Sequence, residues 1–150
     1  MSEHQCKIVR VVDGDTVDVD IDLGFGVWLH NERIRIEGID SPESRTRNLI
    51  EKFFGIAAKN RVKELLPKGS IQTLVCGDSG EGKFGRILGD FKLGDTRLTT
   101  LLLRDGYVVE YSGASKAAVM EQHLQNRIIL LTNERVNLVE YQKLLDKINR

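Results

Sequence analysis

Ile34-Arg35-Ile36-Glu37-Gly38-Ile39-Asp40-Ser41-Pro42-Glu43 is the stretch around which the rest of the chain is organised. Arg33, Arg35 and Glu37 alternate with Ile34 and Ile36, the period of two that belongs to a strand with one buried face. Gly38 permits a bend and Pro42 lacks the N–H that a ladder requires, so the strand ends at Pro42. Asp40 and Glu43 therefore sit on a sharply turned segment directly after a rigid element, a common mounting for residues that bind or catalyse. The same turn has an ordinary reading, in which Asp40 or Ser41 bonds the backbone at the strand end.

Upstream, Lys7–Val12 is a β-rich run and Asp13-Gly14 is a hairpin turn signal. From Thr16 onward Val17, Val19, Ile21 and Leu23 share one parity, while Asp18, Asp20 and Asp22 share the other and are read as a solvated strand face. Asp15 carries the parity of the buried valines. A carboxylate facing inward there is costly unless something cationic meets it.

Downstream, Leu23–Trp28 with its two glycines is expected to be a loop. The pattern from Asn48 to Leu66 suits one long helix with Gly55 as a weak spot, ended by Pro67. Ser70–Cys76 and Arg86–Leu93 are strands around a glycine-rich hairpin at Gly77–Gly85. Arg97–Arg104 is a short helix stopped by Gly106, and Ala114–Leu131 and Val136–Ile148 are helical with a break at Thr132-Asn133. Five strands with a helix after the third predict an α+β fold, a five-stranded OB-type barrel with about three to four helices.

A chain of 150 residues forms one domain with a core of its own. Net charge is zero and the pI about 6.8, unlike the basic excess of a broad nucleic-acid binder. The charge is unevenly placed, however. Residues 13–22 hold five aspartates, whereas residues 44–68 hold seven Lys or Arg against two Glu, a local excess of +5. Cys6 and Cys76 both lie in apolar strand-like runs and are expected to be buried free thiols. The polar Met1–Lys7 segment has no signal-peptide pattern and no apolar run is long enough to span a membrane, so a cytoplasmic protein is expected, or a secreted one if a leader has been removed.

Three stretches in this order and at these separations, Asp13-Gly14-Asp15-Thr16, the decapeptide above and Lys83-Phe84-Gly85-Arg86, resemble the staphylococcal nuclease (thermonuclease) family. The resemblance runs from about Lys7 to Asn126. Residues 127–150 are then read as a divergent C-terminal helical extension of a single nuclease-like domain. By their own chemistry Asp15 and Asp40 are hard oxygen donors without His or Cys partners, which suits Ca²⁺ or Mg²⁺. The resemblance implies calcium, held by Asp15, Asp40 and the backbone carbonyl of Ser41, with an affinity of about 10⁻⁴–10⁻³ M by analogy with ligand-poor sites.

The resemblance also implies Arg35 and Arg86 as phosphate-facing catalytic groups and Glu43 as the base for water. Planar guanidiniums suit phosphate, and an oriented base is worth about 10²–10⁴-fold. Lys83 and Tyr111 are implied as substrate contacts and Thr16 as a support for Asp15. Phe84 stands where the family commonly has tyrosine, which removes a hydroxyl. His123, in Glu121-Gln122-His123-Leu124, is read as a helix-packing feature. The family's helix start is matched by Phe53–Ala58, which moves the expected start of that helix to about Phe54 with a loop before it. The implied activity is calcium-dependent hydrolysis of DNA and RNA, single-stranded or locally unpaired, leaving 3′-phosphate ends; a monomer is expected, though the sequence does not fix the oligomeric state. The rival is a non-catalytic nucleic-acid- or protein-binding module, against which the intact set Asp15, Arg35, Asp40, Glu43 and Arg86 argues.

Overall fold

Alternation in the first third of the chain produces a long meander. The structure, a computed structural model, describes residues 1–81 and 86–150, the side chains of residues 78–81 excepted. Strands β1 (Ser2–Asp13), β2 (Thr16–Gly24), β3 (Val27–Ile36), β5 (Ile71–Glu81) and β6 (Ile87–Leu93) are the five long strands; β4 (Ile39–Asp40), β7 (Thr96–Arg97) and β8 (Val109–Glu110) are short. The main sheet runs β3-β2-β1-β5-β6-β7 with antiparallel neighbours. Parallel pairing of Ile34–Ile36 with Ile87–Gly89 joins β3 to β6 and closes the ring, as expected for an OB-type barrel. Val17, Val19 and Ile21 point into it with Cys6, Ile8, Ile34, Ile36, Leu74 and Phe91, all buried. Cys6 and Cys76 are buried free thiols.

Helix α1 (Leu49–Leu65) rests on β1 and buries Phe54, Ala58 and Val62, with Leu66 just beyond its end continuing the four-residue spacing. Helices α2 (Leu98–Asp105), α3 (Lys116–Thr132) and α4 (Leu138–Ile148) complete the set. Tyr141 of α4 meets the rings of Phe53 and Phe54 at 5.3 and 5.6 Å. No helix is long and apolar enough to cross a membrane.

Four expectations are corrected. Helix α1 begins at Leu49 and not near Phe54, because Asn48 caps it: the Asn48 side chain accepts from the N–H of Glu51 at 3.1 Å, and Glu51 places an acid in the first turn. The segment Leu23–Trp28 is a tight hairpin, with Phe25 and Gly26 both at positive φ (56° and 76°), the twist that two-residue hairpin turns require. Asp18 does not belong to a solvated face. It is 8% exposed and accepts from Arg10 at 2.9 Å and from Arg33 at 2.9 and 3.2 Å. Finally, the organising strand breaks at Gly38 (φ 78°) before Pro42, and Ile39–Asp40 leaves the barrel to pair with β8.

Candidate functional site

Asp15 immediately precedes β2, whose first residue, Thr16, pairs with Arg35 of β3, and the cation its burial demanded is this arginine. Arg35 Nη2 lies 3.5 Å from Asp15 Oδ2, the Thr16 hydroxyl donates to Oδ1 at 2.9 Å, and the Ser41 N–H donates to Oδ2 at 3.2 Å. Arg35 also donates from Nη1 to the carbonyl of Ile36 at 2.7 Å and from Nη2 to that of Ile39 at 2.8 Å. One guanidinium therefore staples both sides of the Glu37-Gly38 turn and holds it against Asp15. Part of its donor capacity is spent on architecture, leaving the remaining N–H groups for a ligand.

Two glycines let these pieces touch. A Cβ on Gly14 would stand 2.2 Å from Ser41 Oγ, so the Asp13–Thr16 turn nests against Ser41 only as glycine. A Cβ on Gly55 would stand 2.2 Å from the carbonyl oxygen of Glu43 and 2.7 Å from the amide of Ser44. Helix α1 is thus pressed against the backbone that carries Glu43. The weak helix former at position 55 is the contact point between the helix and the site loop.

Arg35, Asp40, Ser41, Glu43, Arg86 and Tyr111 all line one cleft of about 970 Å³, and Asp15 stands directly behind Ser41. Lys83 lies outside the described residues. Glu43 is on the exposed rim, yet partial desolvation, followed by the charges of Asp13, Asp15, Asp40 and Glu51, raises its pKa above the usual carboxylate range. Burial, and behind it the charge of Asp15, also raises Asp13. Negative charge is therefore crowded at the floor of the cleft, while Arg35, Arg86 and Lys116 supply positive charge on its walls.

His123, expected as a helix-packing residue, also reaches the site. It is buried, with its side chain 9% exposed, it lines the cleft, and its Nε2 is 2.8 Å from Asp40 Oδ2. Its only legible signal was a polar ring in Glu121-Gln122-His123-Leu124. Nothing local announces a partner 83 residues earlier.

Among the described residues no three His, Cys, Asp or Glu side chains cluster tightly enough to hold a metal ion by themselves. The oxygen donors here are two carboxylates, Asp40 in the cleft and Asp15 behind Ser41, and the peptide of Ser41 tied to Asp15; contrary to the expectation that the pair has no His partner, the His123 imidazole stands against Asp40 and is taken up by its carboxylate. Such a set fits a hard cation that keeps most of its coordination for water and phosphate.

The family model described as Staphylococcal nuclease homologue matches residues 33–148. The chain belongs to this family. The match takes in Arg35, Asp40, Glu43 and Arg86, and Asp15 precedes it. Among relatives of this staphylococcal nuclease homologue, the thermonuclease of Staphylococcus intermedius is 32% identical over 99 residues, covering 66% of this chain and 55% of the relative. The thermonuclease of Staphylococcus hyicus is 28% identical over 105 residues, 70% of this chain and 58% of the relative. A micrococcal nuclease of Shigella flexneri is 26% identical over 133 residues, 81% of this chain and 68% of the relative. The chain thus spans 55% and 58% of the length of the two thermonucleases.

Proposed function

We propose that this chain is a calcium-dependent nuclease that hydrolyses phosphodiester bonds in single-stranded or locally unpaired DNA and RNA and leaves 3′-phosphate ends. The convergence of Asp40, Glu43, Arg35 and Arg86 on one open cleft, with Asp15 behind it, carries the reading. The names of its relatives, thermonuclease and micrococcal nuclease, point the same way.

Asp15, Asp40 and the carbonyl of Ser41 are the groups that would hold calcium. When bound, the ion supplies positive charge that neutralises phosphate oxygens and lowers the cost of attack. Glu43 accepts a proton from the attacking water. Its raised pKa makes it a better base than an ordinary surface glutamate once ionised. Arg86 and the uncommitted N–H groups of Arg35 face the phosphoryl group and offset the charge that develops on it. Phosphate in the cleft draws on local charge, since net charge is zero and residues 44–68 concentrate a basic excess of +5.

The test is cleavage of labelled single-stranded DNA and RNA with calcium and with excess EGTA. Cleavage only with calcium, to 3′-phosphate products, is expected. Undiminished cleavage in EGTA would remove calcium from the scheme, and tight binding without cleavage would make the chain a binding module.

A further inference from the structure

We infer that His123 is a positioning residue for Asp40, through which helix α3 sets the carboxylate that faces the cation. The inference rests on Asp40 being a cation ligand, as proposed above.

Asp15 and Asp40 are mounted very differently. The Asp15 carboxylate receives the Thr16 hydroxyl, the Ser41 amide and Arg35. Asp40 lies on β4, a strand of two residues that, among the described residues, lies outside the barrel sheet and pairs through Ile39–Glu110 and Asp40–Val109. The backbone around Asp40 is further held by Arg35 on the Ile39 carbonyl and Asp15 on the Ser41 amide, but neither these ties nor so short a ladder sets the Asp40 side-chain torsion. What holds the Asp40 side chain is the 2.8 Å contact between Oδ2 and His123 Nε2. A carboxylate accepts, so Nε2 carries the proton and donates.

His123 is itself firmly held. Helix α3 is capped by Ser115, buries Leu130, and one turn beyond His123 uses Asn126 to donate to the carbonyl of Val108 at 3.0 Å. Val108 adjoins β8, the partner of β4. Helix α3, β8 and β4 therefore form a closed bracket with Asp40 at its mouth. The other ring nitrogen, Nδ1, is buried with no hydrogen-bond partner among the described residues. The ring's one polar tie in the described structure is the carboxylate. Binding one oxygen leaves Oδ1 to turn toward the cleft, which is how a hydrogen-bonded outer partner improves a carboxylate ligand.

Calcium titration calorimetry on the full chain tests this without reference to activity. The variants are His123→Leu, which keeps bulk but donates nothing, and His123→Gln, whose amide N–H reaches about as far as Nε2. Thermal unfolding in EGTA is measured alongside. His123→Leu is expected to weaken calcium binding about 10–100-fold, the usual effect of losing such an outer partner, while His123→Gln recovers most of it. If His123→Leu does not fold, His123→Asn takes its place, since its amide stops short of Asp40. Folded Leu and Gln variants with equal calcium affinity would overturn the inference, because a packing role moves unfolding temperature without discriminating donor from non-donor. Failure of the wild-type chain to bind calcium would instead overturn the reading of Asp40 as a ligand, and the inference with it.

Discussion

Replacing Gly55 with alanine separates helix propensity from site geometry. In an exposed helix interior the change would stabilise by about 1 kcal/mol. Here the added Cβ would lie 2.2 Å from the carbonyl oxygen of Glu43, 1.2 Å short of the 3.4 Å at which ordinary contact begins. The atoms it meets are backbone, so no rotamer change relieves the overlap. The helix cannot easily retreat either, because Phe54, Ala58 and Val62 are seated in the core. The loop must therefore yield, and Glu43 moves by about 1 Å. Overpacking of this kind costs about 1–3 kcal/mol, which outweighs or cancels the propensity gain, so Gly55→Ala is expected to be neutral or up to about 2 kcal/mol less stable. A displacement of about 1 Å at the base should lower kcat by about 10²-fold. Urea denaturation and turnover of a single-stranded substrate measure both. A variant that gains about 1 kcal/mol and keeps its turnover would refute the contact between helix and loop.

Arg86→Ala should keep the fold and lower kcat by about 10³–10⁵, the range of an arginine that stabilises a phosphoryl transition state; near-normal turnover would remove Arg86 from the mechanism. Reversing the charges of Arg45, Arg47 and Lys52 should weaken substrate binding and flatten its salt dependence at constant free calcium, with saturated turnover nearly unchanged; an unaltered slope would place the binding surface elsewhere. Asp18→Asn tests the ion pairs on the barrel wall. Burial alone would raise the Asp18 pKa, but the hydrogen bonds and charges of Arg33 and Arg10 outweigh it and hold the group below its ordinary value. A lowered folded pKa means stability that is fully present above the unfolded value of about 3.9 and lost as pH falls through the folded one. With both arginines about half exposed, the substitution should cost about 1 kcal/mol at pH 7, and the gap between the two chains should close as the pH drops below about 3.9. A gap that does not narrow as the pH falls below about 3.9 would assign the effect to packing. Burial pushes the Cys6 thiol up to about 12, so it should resist a thiol reagent at pH 8 until the chain unfolds. Rapid labelling of Cys6 in the folded protein would contradict its buried place in β1.

Much of the barrel was legible because its signals are local. Period-two alternation in residues 15–23 and 33–37 marks buried faces wherever it occurs, and the inward parity of Asp15 announced a cationic partner before Arg35 was seen to provide it. The start of α1 is legible in the helical pattern that begins at Asn48, whose side chain caps Glu51, whereas the family's helix start at Phe53–Ala58 points too far downstream. Three features had no local signature. Gly38 looks like any turn glycine, and only the pairing of Ile39–Asp40 with β8 shows that it sends Asp40 out of the barrel. Gly14 and Gly55 act by what they lack, and an absent side chain does not name the atom it makes room for. His123 meets Asp40 across 83 residues, brought there by the docking of α3 on the β8 side of the molecule. Chemistry written in adjacent residues could be read along the chain, whereas distances between remote backbones depend on how every element packs, and tertiary structure alone decides those.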